Sequence, residues 1–116
     1  MRDGAIVEVT GKGPLRGHRI EVDESQRRAV VDGVELYLRP RESKLLACLA
    51  SEPGRLFTKR ELEARVLGFD GFVRSRAIDQ HVVNLRAKLP DPRLVRTVRG
   101  IGYLLDTGDD VTAGAA

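Results

Sequence analysis

A chain of 116 residues is long enough to fold around one core unaided, and its single cysteine, Cys48, leaves no pair to oxidise, which argues against a secreted disulfide scaffold. No run reaches the roughly 18 apolar residues of a membrane helix, and the start MRDGAIVEV lacks a basic segment followed by an apolar one, so the expectation is a soluble cytoplasmic protein with no membrane partner. The formal charge of +3 is too small to imply a polyanionic partner by itself, but it is unevenly spread: residues 58–103 hold ten Lys or Arg against five Asp or Glu, and residues 104–116 hold three Asp and no cation.

Residues 1–17 read as an N-terminal extension or linker: GKGPLRG is turn-rich, while AIVEV reads equally as an edge strand. From residue 18, HRIEVDESQRRAVVDGVELYL alternates apolar and polar residues in three pieces separated by DES and DG. That pattern predicts antiparallel strands near 18–22, 27–31 and 34–38. Pro40 then opens a helix in which Leu45, Leu46, Leu49 and Ala50 form an apolar stripe, closed by Pro53 and Gly54. A second helix starts at Thr58-Lys-Arg-Glu61, a capping box flanked by Phe57 and Leu62 at hydrophobic-staple positions, and runs to about Leu67 before GFDGFVR breaks it.

Ser75 is placed to cap a third helix, RAIDQHVVNLRAKL, that stops at Pro90-Asp-Pro92. At 100° per residue, Ile78, Val82, Leu85 and Leu89 share one face, and Arg76, Gln80, Val83, Asn84 and Ala87 share the other. The second face mixes one cation with carboxamides and small or apolar groups, a composition suited to lying against another surface. VRTVRGIGYLL, residues 95–105, then admits three readings: a plain hairpin, a glycine loop for phosphate, or a hairpin whose tip touches a partner. A phosphate loop needs a helix after its glycines, and here a strand-like YLL follows, so a hairpin remains, with the glycines supplying its turn. Residues 106–116 are polar and small, and are expected to form a disordered tail.

Catalysis finds little support. His18 and His81 are far apart and no serine or cysteine carries a local nucleophile signature. His81 flanks the core stripe of the third helix and reads as a half-buried structural residue. One cysteine and two histidines make a poor zinc set, and Asp109 and Asp110 lie in the tail. The expectation is therefore no enzyme, no metal and no cofactor. Three helices followed by a basic hairpin follow instead the logic of a winged helix, in which a helix enters the major groove of DNA and the hairpin reaches the minor groove.

Three stretches carry a resemblance: LYLRPRESKLLACLASEPGRLFTKREL, RSRAIDQHVVNLRAKL and VRTVRGIGYLL. Together they resemble the DNA-binding effector domain of the OmpR/PhoB class of bacterial response regulators, over residues 18–105. The resemblance implies an α+β winged helix-turn-helix with an N-terminal antiparallel sheet, three helices and a C-terminal wing, bound to double-stranded DNA as a transcriptional regulator of a two-component system. By the same resemblance the recognition helix is 75–89 and the wing 95–105. Arg76 and Ala77 match phosphate-contacting positions at the start of the recognition helix, and Val83 and Asn84 match groove-facing ones. Thr97 and Tyr103 match wing residues that bond phosphates, and Arg99 matches the arginine that enters the minor groove. With Arg74, Gln80, Lys88 and Gly100 these complete the expected DNA-binding set.

Asp79 and Arg86 lie within about 20° of each other on the helix and are read as structural charges that pair with other elements. Phe69, Asp70 and Phe72 fall in the loop that contacts RNA polymerase in the family. Relatives also bind tandem half-sites, so self-association on DNA belongs to the expectation. Three features depart from the pattern. Val83 stands where relatives place basic or hydroxyl residues, Leu67 replaces a common tryptophan, and only 17 residues precede the effector sheet where relatives place a phosphorylated receiver domain; the chain is a stand-alone regulator or an excised piece. The alternative function is a winged helix acting as a protein-interaction module on RNA polymerase or another regulator.

Overall fold

The computed structural model describes residues 4–8, 19–23, 28–68, 77–106 and 112–113. Four antiparallel strands come first: β1 (Gly4–Glu8), β2 (Arg19–Asp23), β3 (Arg28–Val31) and β4 (Val34–Tyr37), in that spatial order. The alternation of this segment is what builds the sheet: Ile20, Val22, Ala29, Val31 and Leu36 turn inward and are buried. Asp32 and Gly33 join β3 to β4 with φ of 53° and 82°, the two positive angles that a two-residue hairpin turn demands. Of the two readings of AIVEV, the edge strand is the one adopted, paired with β2 from Gly4↔Asp23 to Glu8↔Arg19.

Helix α1 (Pro40–Ser51) packs its Leu45, Leu46 and Leu49 into the core. Glu42, in the first turn of α1, is 1% exposed. Its Oε1 accepts from the Arg39 N–H at 3.0 Å, closing the helix N-terminus, and from the ammonium of Lys88. Burial alone would raise the carboxyl pKa, but the bonds from Lys88 and Arg39 and their charges outweigh it and hold it below the ordinary value.

Between α1 and the second helix lies a strand that residue pattern did not disclose, β5 (Arg55–Thr58). The capping box then forms as expected: Thr58 Oγ1 accepts from the Glu61 N–H and Glu61 Oε1 accepts from the Thr58 N–H, both at 3.0 Å. Phe57 and Leu62, the staple pair, are both fully buried. Helix α2 (Lys59–Leu62) runs into a π-helical turn, Glu63–Leu67, and stops at Gly68 with φ 78°; Leu67 packs half-buried on the core.

Helix α3 (Ala77–Lys88) buries Ile78, Val82 and Leu85, with Leu89 just beyond its end, as its periodicity predicts. Its Ser75 cap lies outside the described residues. His81 sits half-buried against α1, its Nε2 without a hydrogen-bond partner among the described residues. Burial and the Arg41 charge lower its pKa, with Glu42 opposing them.

After a short 3-10 turn, Pro92–Leu94, strands β6 (Val95–Val98) and β7 (Gly102–Leu105) form the expected hairpin. β7 also pairs with β5, placing Phe57 opposite Tyr103 and Thr58 opposite Gly102. Gly102 is therefore needed for a different reason than the turn. A Cβ there would lie 1.8 Å from the Phe57 carbonyl oxygen, whereas Gly100, with φ 77°, is the true turn glycine. The expectation of a disordered tail also needs correction at two residues: β8 (Thr112–Ala113) lies parallel to β5, opposite Arg55 and Leu56. Its pairing uses backbone groups, so a composition too polar to pack does not prevent it. The second sheet runs β6-β7-β5-β8.

Candidate nucleic-acid interface

With its stripe of Ile78, Val82 and Leu85 turned into the core, α3 must present the opposite face outward. Gln80, Val83 and Ala87 are exposed there, Ala77 and Asn84 half-buried. Val83 is 57% exposed, a large apolar side chain in water at the middle of this face. One turn apart, Gln80 Nε2 donates to Asn84 Oδ1 at 3.0 Å. That bond does not use the Asn84 amide protons or the Gln80 carbonyl oxygen, one donor set and one acceptor held one turn apart.

At the hairpin, Arg99 and Gly100 form the tip and are exposed, next to Ile101, which is 47% exposed. Thr97 is exposed and its Oγ1 accepts from Arg86 Nη2 at 2.6 Å. Because the hydroxyl accepts in that bond, its own hydrogen remains available to donate outward. Arg96, absent from the expected set, is also exposed on β6, where its side chain leaves the strand on the face opposite to that of Thr97.

Two expected residues bond within the protein. Tyr103 is only 6% exposed and its hydroxyl donates to Asp79. Burial, then the bond to Asp79 and its charge, push the phenol pKa up to about 12. Lys88 pairs with the buried Glu42 on α1, at the end of α3 and turned toward the core. Its partner lies 46 residues upstream, beyond the reach of helical periodicity. Asp79 and Arg86 do pair with other elements as read: Asp79 accepts from Lys59 and Tyr103, and Arg86 from α3 reaches the Val95 carbonyl and Thr97 on β6. Arg74 and Arg76, with Phe69, Asp70 and Phe72, lie outside the described residues.

Among the described residues no three His, Cys, Asp or Glu are grouped to hold a metal ion, and no helix is long and apolar enough to cross a membrane. Burial raises the Cys48 pKa against the opposing Arg65, which keeps its thiol protonated.

Three helices, the last with a polar outer face, followed by a hairpin whose basic tip projects beside that face, define a winged helix-turn-helix. The family model for "Transcriptional regulatory protein, C terminal" matches residues 33–105, and the chain belongs to that family, of the OmpR/PhoB type. It is 39% identical over 87 residues to response regulator protein PmrA of Pseudomonas aeruginosa, covering 75% of this chain and 39% of that protein. Among solved structures it is similar to the DNA-binding domain of CpxR from E. coli, with a TM-score of 0.70 and 31% identity over 90% of this chain and 98% of that one. It is also similar to the RstA DNA-binding domain of Klebsiella pneumoniae, solved in complex with the RstA box, at a TM-score of 0.67 and 25% identity over 76% and 91% of the two chains. The chain spans 34–42% of the length of such curated relatives.

Proposed function

We propose that this chain binds double-stranded DNA sequence-specifically as the output module of a transcriptional regulator, with α3 in the major groove and the β6–β7 wing at the flanking minor groove. The observation that carries this is the outer face of α3: a paired Gln80 and Asn84 and an exposed Val83 at its centre, beside a wing that ends in Arg99. Carboxamides bond base edges, and a valine suits the methyl group of thymine. Arg99 supplies the cation that a narrow A·T-rich minor groove attracts, and Thr97 a hydroxyl for phosphate. Arg74, Arg76 and Ala77, at or before the start of α3, are assigned to the backbone, where they position the helix without reading sequence. Tandem half-sites and contact of the 69–72 loop with RNA polymerase belong to the same reading, as does the absence of any enzymatic step.

Selection of bound sequences from a random duplex pool tests it, followed by binding to the selected site at several salt concentrations. A defined motif is expected, with log K falling against log[salt] at about −0.9 per phosphate neutralised. No enriched motif, or an affinity indifferent to salt, would support the protein-interaction reading instead.

A further inference from the structure

The wing is fastened to α3 at two points, and both fall on one cross-strand pair. Thr97 of β6 and Tyr103 of β7 face each other in the hairpin register. Arg86 donates to Thr97 Oγ1 at 2.6 Å and to the Val95 carbonyl from Nε at 3.0 Å and Nη2 at 2.7 Å, and its guanidinium lies 5.7 Å from the centre of the Tyr103 ring. Asp79 accepts from the Tyr103 hydroxyl. Asp79 and Arg86 are seven positions apart, so they stand on one face of α3 about 10 Å apart along its axis.

One contact would let the hairpin pivot about its ladder with β5. Two, spaced along the helix, fix its direction as well as its distance. The beginning of α2 joins the same junction: Lys59 Nζ lies 3.2 Å from the Asp79 carboxylate, and the Lys59 N–H donates to the Ile101 carbonyl at 3.1 Å. Asp79 is thus the place where α2, α3 and the wing meet.

We propose that Asp79 and Arg86 are positioning residues that clamp the wing to the recognition helix, so that major-groove and minor-groove readout are coupled in a fixed register. The inference rests on the DNA-binding reading above, and assigns neither residue a contact with a base. Its consequence is specific. A clamped pair accepts one spacing between the base-contacted positions and the A·T flank, whereas a hinged pair accepts several.

Two variants of the full chain test it. Tyr103→Phe removes only the hydroxyl and keeps the ring; Asp79→Asn keeps an acceptor and removes the charge. Amide hydrogen exchange on the free protein needs no DNA. Exchange across residues 97–103 is expected to quicken about three- to tenfold, the worth of one net hydrogen bond, while β2–β4 keep their rates. An unchanged hairpin, or an equal rise over the whole chain, overturns the clamp.

Binding is then compared on two duplexes that carry the selected half-site, one with the A·T flank in its selected place and one with it moved by a base pair. The unmodified chain is expected to discriminate between them by about tenfold, and Tyr103→Phe by about threefold or less. No discrimination by the unmodified chain, or equal weakening of the variant on both duplexes, overturns the coupling. Failure to bind any duplex overturns the DNA-binding reading itself, and the exchange rates then decide the clamp alone.

Discussion

Gly102 and Gly100 stand two residues apart in one motif and are required for unrelated reasons. Gly100 adopts a φ of 77° with nothing near its missing Cβ, while Gly102 has no such angle but abuts the backbone of β5. Alanine at 100 should cost about 1 kcal/mol, the penalty of a side chain in the left-handed region. Alanine at 102 must push two strands apart, since the obstructing atom is a main-chain carbonyl, and should cost at least about 2 kcal/mol. Urea unfolding at unchanged m separates them; equal midpoints for the two variants would refute the close-approach account. The reason for Gly102 was not legible locally, because the atom it avoids belongs to Phe57, 45 residues upstream. Glu42 hid its role in the same way. As a charge in the first turn of a helix it reads as ordinary, and only the end of α3 supplies the lysine that makes its burial tolerable.

At the scale of elements, α3 and the wing should leave different signatures in binding data. Asn84→Ala should relax preference at one base position by about 1–3 kcal/mol if its carboxamide makes a bidentate contact. Arg99→Ala should lose affinity chiefly on A·T-rich flanks. Binding of both variants to a panel of single-substituted duplexes distinguishes these patterns, and an even loss across all positions for either would remove it from readout. These two elements were also the most legible in the sequence. The stripe of α3, the capping box at Thr58 and the Asp32-Gly33 turn are local signals, each complete within a few residues. β5 was not, since RLFT shows no alternation of its own and becomes a strand only because β7 pairs with it much later in the chain. The outer face of α3 was legible, but not the bonds around it: those of Tyr103 to Asp79 and of Lys88 to Glu42 depend on how the elements pack.

For the whole molecule, the α1–α3 contact makes stability depend on acid. His81 has a folded pKa below 6.5, through burial and Arg41. Between its folded and unfolded values the unfolded chain holds more protons, so stability falls as pH drops below about 6.5. Glu42 has a folded pKa below 4.5, and the same sign applies in a lower window: its contribution is present above that value and disappears as pH falls through the folded one. Melting temperatures taken from pH 8 to 4 should be level above neutrality and begin to decline near 6.5, and His81→Gln should abolish that first decline. A His81→Gln profile that matches the unmodified chain between pH 6.5 and 5 would remove the histidine from the account.

Both sheets are open, with β1 and β4 at the margins of the first and β6 and β8 at those of the second. An uncovered margin offers a row of unsatisfied N–H and C=O groups to any other chain that arrives in an extended form. What limits such pairing is the shortness of the edge strands, five residues in β1, four each in β4 and β6 and two in β8. Two copies that meet edge to edge therefore have only a few ladder bonds to gain, and proximity alone does not become aggregation.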